Sequence, residues 1–137
     1  MKKNQIRRGE KRTFWTEIVF WSHLPIVIIW FGTFFIPFSL WPKRITFHFW
    51  YILIFILLQL LWGIILYPKT KKVDFICPFT TLLQSLRGYP IESKKNYNHS
   101  FIAELLERFH IKISFQGVEI MLGITLIIVT IQYLWFR

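Results

Sequence analysis

A chain of 137 residues in which 54% are hydrophobic and 20% aromatic, with a mean hydropathy of +0.43, lies well away from the average of soluble domains. Its long apolar runs occupy so much of that length that no separate soluble enzyme domain fits beside them. The formal charge of +10 would suggest nucleic acid in a soluble protein, but the chain has no recognition-helix or RNA-binding pattern, and no nucleic-acid partner is expected.

Residues 1–13 form a basic tail with six Lys and Arg. The apolar run behind it resembles the core of a secretory signal. It is too long for one and lacks a small-residue cleavage site, so a retained span is expected. Three runs stand out: Ile18–Trp41, Ile45–Pro68 and Ile120–Phe136, the last extending back to Ile113 if Glu119 is admitted. A helix needs about 20 mostly apolar residues to cross hydrocarbon, which predicts spans over 14–41, 45–68 and 113–136. Pro25 and Pro37 remove backbone donors within the first, where a bend is expected. Trp41–Arg44 is short enough to join only antiparallel neighbours. Trp15, Trp41 and Trp135 lie near span ends, where amphipathic rings prefer the headgroup layer.

The loop 69–112 carries eight Lys and Arg, the first connection two, and the C-terminus one. With the N-terminus cytoplasmic, the inside segments hold 14 of these charges and the outside segments three, the distribution that the positive-inside rule requires. The expected location is the cell inner membrane, N-terminus in and C-terminus out. Within the loop, Phe79, Leu82, Leu83 and Leu86 recur at i, i+3, i+4 and i+7, behind Pro78 at a position helices tolerate. Gly88-Tyr89-Pro90 stops that helix. A second stripe, Phe101, Ile102, Leu105, Leu106 and Phe109, stands opposite Glu104, Glu107 and Arg108. Both helices are expected to lie in the cytoplasmic interface or to cap the bundle. The fold class is therefore an all-α membrane protein with three transmembrane helices and two amphipathic interfacial helices, residues 14–137 forming one membrane domain.

The segment Ile76-Cys77-Pro78-Phe79-Thr80-Thr81-Leu82, then Leu86-Arg87, then Tyr97-Asn98-His99-Ser100-Phe101-Ile102, resembles the signature of a family of small bacterial integral membrane proteins, the domain of unknown function 2784 family. His23-Leu24, His48 and Trp62-Gly63 are similar to that family's pattern as well. The likeness runs from about Trp15 to the C-terminus. Leu83 stands where the family usually carries a Glu, and Tyr67–Phe75 is longer than usual, so a role for that acid does not carry over. The family has no assigned reaction, and the resemblance implies a fold and a location, with Cys77, Pro78, Thr80, Arg87, Ser100 and Phe101 as its motif residues.

Polar groups within spans are costly unless paired. Counted at about 1.5 Å per residue, His23, Gln59 and Glu119 come level at roughly 9–14 Å from the cytoplasmic boundary, one per helix. They are expected to form an intramembrane polar cluster, either a hydrogen-bonded clasp or a proton or ligand site at His23 and Glu119. On the third span Gln116, Glu119, Gly123 and Thr130 share a small-and-polar face suited to helix contact. His23 and His48 differ in depth by roughly 15–20 Å, which argues against a shared haem. One Cys and four His show no zinc-ligand spacing, and no cofactor or metal is expected. Cys77, before a helix start, is either a packing group or a thiol activated by the helix dipole. The expected function is a non-catalytic accessory or interaction subunit, with membrane lipids, other membrane proteins or a second copy as partners. The competing expectation is a small membrane enzyme or redox component using Cys77 and a His23–Glu119 pair.

Overall fold

The structure, a computed structural model, describes residues 12–136. The basic tail expected over 1–13 falls almost wholly outside the described residues, as does Arg137. Among the described residues the chain is helical, without a strand: α1 (Phe14–Ser22), α2 (Leu24–Gly32), α3 (Arg44–Thr70), α4 (Pro78–Leu86), α5 (Phe101–Arg108) and α6 (Phe115–Phe136). Three stretches, Phe14–Phe35, Arg44–Thr70 and Phe115–Phe136, are long and apolar enough to cross a membrane.

The first of them is broken. Thr13 opens α1 with a capping box shared with Thr16. Pro25 has no N–H to offer the Trp21 carbonyl, and the backbone N–H of His23 turns to Phe20 and Trp21 instead of completing a regular turn. Helix then resumes as α2 and tightens into a 3₁₀ turn at Thr33–Phe35. The expected run to Trp41 is therefore too long. Pro37 disfavours helical backbone at the residue before it, and Ile36 is extended.

α3 returns antiparallel to α2, and side chains of α3 close carbonyls of α2 along one seam. Tyr51 Oη donates to the Ile26 carbonyl at 3.0 Å, His48 Nε2 to Trp30 at 2.7 Å, and Arg44 Nη1 to Thr33 at 3.3 Å. Donors and acceptors are each spaced i, i+4, i+7, so one face of each helix carries the whole set. Trp30, Ile52 and Val129 form the buried core beside this seam. Phe49 stacks on Tyr133 at 4.1 Å, which brings α6 against α3.

α3 runs through Pro68 and ends at Lys71, whose backbone is left-handed and whose N–H reaches the Tyr67 carbonyl at 2.8 Å. The chain then crosses back over α3. A methyl group at Gly63 would overlap the backbone carbonyl of Asp74, so only glycine permits that crossing. α4 begins at Pro78 and ends in a Schellman motif, with Gly88 N–H bonded to Ser85 and Tyr89 N–H to Gln84, both at 2.9 Å, and Gly88 at a φ of 87°.

The packing of α4 divides the stripe read from sequence between core and open side. Thr80, Leu83, Gln84 and Arg87 face inward, while Phe79, Leu82 and Leu86 lie on the open side. Leu83 joins Phe20 and Phe101 in a second core that ties α4 and α5 to α1. The outward face of α4 is thus apolar and its inward face largely polar. Because Leu83 is fully buried and Leu82 is 49% exposed, Leu83→Ala is expected to cost about 2–5 kcal/mol through a cavity, and Leu82→Ala well under half of that. Thermal unfolding in mild detergent checks the ranking, and equal losses would contradict the burial.

Candidate functional site

His23 occupies the break between α1 and α2. Its Nδ1 lies 3.0 Å from the Val19 carbonyl, and because a carbonyl only accepts, the neutral ring carries its proton there and presents Nε2 as an acceptor. That nitrogen faces Cys77 Sγ at 3.8 Å, the geometry of a weak S–H donation. The ring stacks on Phe101 at 5.0 Å and 13° and meets the edge of Phe79 at 5.2 Å. Burial pushes the Cys77 thiol up, against the smaller pull of the Thr80 and Phe79 backbone amides at the start of α4. The thiol is accordingly held in its protonated form beside the imidazole.

The ends of α1, α4 and α5 are tied by charges. Arg87 forks onto Glu104 at 3.0 and 2.7 Å, and Arg108 forks onto Glu17 at 2.8 and 3.0 Å and also reaches Glu104 at 3.2 Å. His99 stands 3.4 Å from the same Glu104 carboxylate. The Arg108 guanidinium lies 3.7 Å from the Phe20 ring centroid, in the geometry of a cation–π contact. Burial raises the Glu104 carboxyl, but the hydrogen bonds and charge of Arg87, with His99 and Arg108, outweigh it and hold the carboxyl below its ordinary value.

Between this cap and the long helices lies a cavity of about 410 Å³, lined by His23, Cys77, Asn96, Tyr97, Ser100, Gln59 and Glu119 at one end and by Val27, Trp30, Phe55 and Leu126 at the other. From Phe115 to Leu126 its wall on α6 rises roughly 16 Å. A volume of this size falls within the range of small-molecule pockets, about 300–1,000 Å³.

His23, Gln59 and Glu119 line this one cavity. Among the described residues no hydrogen bond joins any two of them; His23 is engaged by Val19 and Cys77, Gln59 is half-buried, and Glu119 is exposed. Of the motif residues, Pro78 is the first residue of α4, and Thr80 is buried at the cavity wall. Arg87 is buried in its fork on Glu104, Ser100 caps α5 by accepting from the Ala103 N–H, and Phe101 lies under His23. Among the described residues the stripe on α6 is not a contact: α6 buries Val118, Thr125 and Val129, and leaves Gln116, Glu119 and Gly123 open. Thr130 is half-buried and its hydroxyl donates back to Leu126. His48 closes the Trp30 carbonyl. Among the described residues no group of three or more His, Cys, Asp or Glu is placed to hold a metal ion. The thiol–imidazole contact and the Arg87–Glu104 and Glu17–Arg108 pairs carry no local signal, since their members are far apart in sequence; only Glu104 and Arg108 are neighbours on one helix, at i and i+4.

No family model, no curated protein and no solved structure matches this chain.

With its folded-state pKa depressed, Glu104 contributes stability that is complete above the ordinary carboxylate value of 4.5 and is lost as pH falls through the lower folded value. Melting temperature is expected to drop on acidification below that point in the native protein and to drop much less in Glu104→Gln. At neutral pH that substitution should itself destabilise by about 3–5 kcal/mol, because the buried Arg87 guanidinium loses its carboxylate. A melting temperature unaffected by Glu104→Gln would contradict a structural role for the network.

Proposed function

We propose that the protein is a multi-pass component of the cell inner membrane, with its N-terminus and the α4–α5 loop cytoplasmic and its C-terminus outside. The 14-to-three distribution of Lys and Arg supports that orientation. The open face of α4 supports an interfacial position for it: Leu82 and Leu86 point away from the protein, where acyl chains would cover them, beside a Phe79 that is partly exposed and packs its ring on His23. A periplasm-active reporter is expected to be active when fused after Arg137 and silent after Lys95. The opposite pattern would reverse the orientation.

Within the membrane the protein acts as a non-catalytic accessory or interaction subunit. One observation carries this reading: Glu119 lies exposed on a long apolar helix, with no ion pair or hydrogen bond to hold it among the described residues. A charged group in that setting costs about 2.5–3.5 kcal/mol or more, and this chain leaves the cost unrelieved. Gln116 and Gly123 extend the same open face, and a side chain at Gly123 would meet nothing within 4 Å. Small and polar residues together favour close approach by another helix. The resemblance to small bacterial membrane proteins without an assigned reaction agrees with this role.

A second reading, a membrane thiol enzyme or redox component, is favoured by the 3.8 Å approach of Cys77 Sγ to His23 Nε2. The upward shift of the thiol weighs against it, since the thiolate is the nucleophile. A photo-crosslinker at Gln116 in intact membranes is expected to give a discrete protein adduct that Gly123→Ile abolishes, with Cys77→Ser leaving cellular function largely intact. Lipid adducts alone, together with rapid maleimide labelling of Cys77 and loss of function in Cys77→Ser, would reverse the order of the two readings.

A further inference from the structure

The chain carries 17 Lys and Arg, and none of those among the described residues lines the cavity. Its one carboxylate among the described residues is Glu119. The two lining histidines face other groups, His23 on Val19 and Cys77, and His99 on Glu104. The walls are aromatic at both ends, with Tyr97, Phe101 and Phe115 near the cap and Trp30 and Phe55 deeper. In a strongly basic protein such a cavity has the opposite electrostatic character to the surface around it.

Each feature selects against a different ligand class. An anionic amphiphile would meet a carboxylate and, among the described residues, no guanidinium or ammonium partner. A zwitterionic lipid would bring a phosphate into the same setting. A neutral amphiphile would gain from apolar burial alone and leave Glu119 without a counter-charge. A cation gains twice, from the carboxylate in a medium of low dielectric and from aromatic rings, whose quadrupoles attract positive charge within about 6 Å.

We propose that the cavity binds a hydrophobic organic monocation, an ammonium- or phosphonium-type molecule without an anionic group. Its charge sits beside Glu119, and its apolar body extends along Val27 and Trp30 toward Leu126. This inference rests on the reading that Glu119 is met by a group from outside the chain, and it names that group.

The test uses the full chain in mild detergent and two ions of nearly the same shape and opposite charge, tetraphenylphosphonium and tetraphenylborate, followed by equilibrium dialysis. The phosphonium is expected to bind in a saturable manner and the borate at least tenfold more weakly. Glu119→Gln should weaken the phosphonium tenfold or more without lowering the melting temperature, and Val27→Trp should block both ions by filling the deep end. Equal binding of the two ions, or phosphonium binding indifferent to Glu119→Gln, would overturn the proposal. Displacement of the phosphonium by phosphatidylethanolamine but not by phosphatidylglycerol would assign the site to a lipid amine and overturn the free monocation. If phosphonium binding fails while the Gln116 adduct persists, the interaction role stands without the cation. If binding holds and the adduct is absent, the site is a ligand cavity and the interaction role falls.

Discussion

A missing hydrogen-bond donor organises this molecule. Pro25 cannot supply the N–H that the Trp21 carbonyl needs, and the first long helix divides at His23 into two pieces with different partners. The piece before the break packs on α4 and joins α5 through Glu17 and Arg108. The piece after it presents Ile26, Trp30 and Thr33 carbonyls to Tyr51, His48 and Arg44 of α3. The break also frees the Val19 carbonyl from the His23 backbone N–H, and the His23 ring takes that acceptor, fixing which of its nitrogens faces Cys77.

The charge network and the cavity divide the remaining polar groups between two tasks. Arg87, Glu104, Arg108 and Glu17 satisfy one another, and each guanidinium finds a carboxylate in the planar, two-bond geometry that arginine favours. Burial of such charges is tolerated because the pairing is nearly complete. Glu119 has no such company among the described residues. The contrast separates a carboxylate paired within the chain from one left open, although the two belong to the same residue type.

Length and composition made the three long helices legible, since apolar runs of that size have few other uses. Their ends were less so. The first run reads on to Trp41 because apolarity continues past the point where Pro37 ends the helix at Phe35, whereas α3 tolerates Pro68 near its end and passes beyond the predicted stop. The stop of α4 was legible because Gly88 supplies the left-handed residue that a Schellman motif needs. Its facing was not. A stripe of apolar residues identifies one side of a helix, but the side that turns inward depends on whether water or lipid lies outside. Depth counting brought His23, Gln59 and Glu119 to one cavity, and it could not supply their azimuth around each helix, which is why level groups need not bond. Contacts such as Glu17 with Arg108, 91 residues apart, depend on the assembled tertiary arrangement and leave no trace in local pattern.

The crossing at Gly63 separates where a path is written from where it runs. Residues 71–75 are all exposed, and their side chains have little to do with the route they take. The route is held by a bare patch of helix surface on which a backbone carbonyl rests. Changes within the crossing segment should therefore be absorbed by solvent or headgroups, while the smallest possible enlargement at position 63, one methyl, would lift the segment and shift the start of α4, and with it Cys77, away from His23.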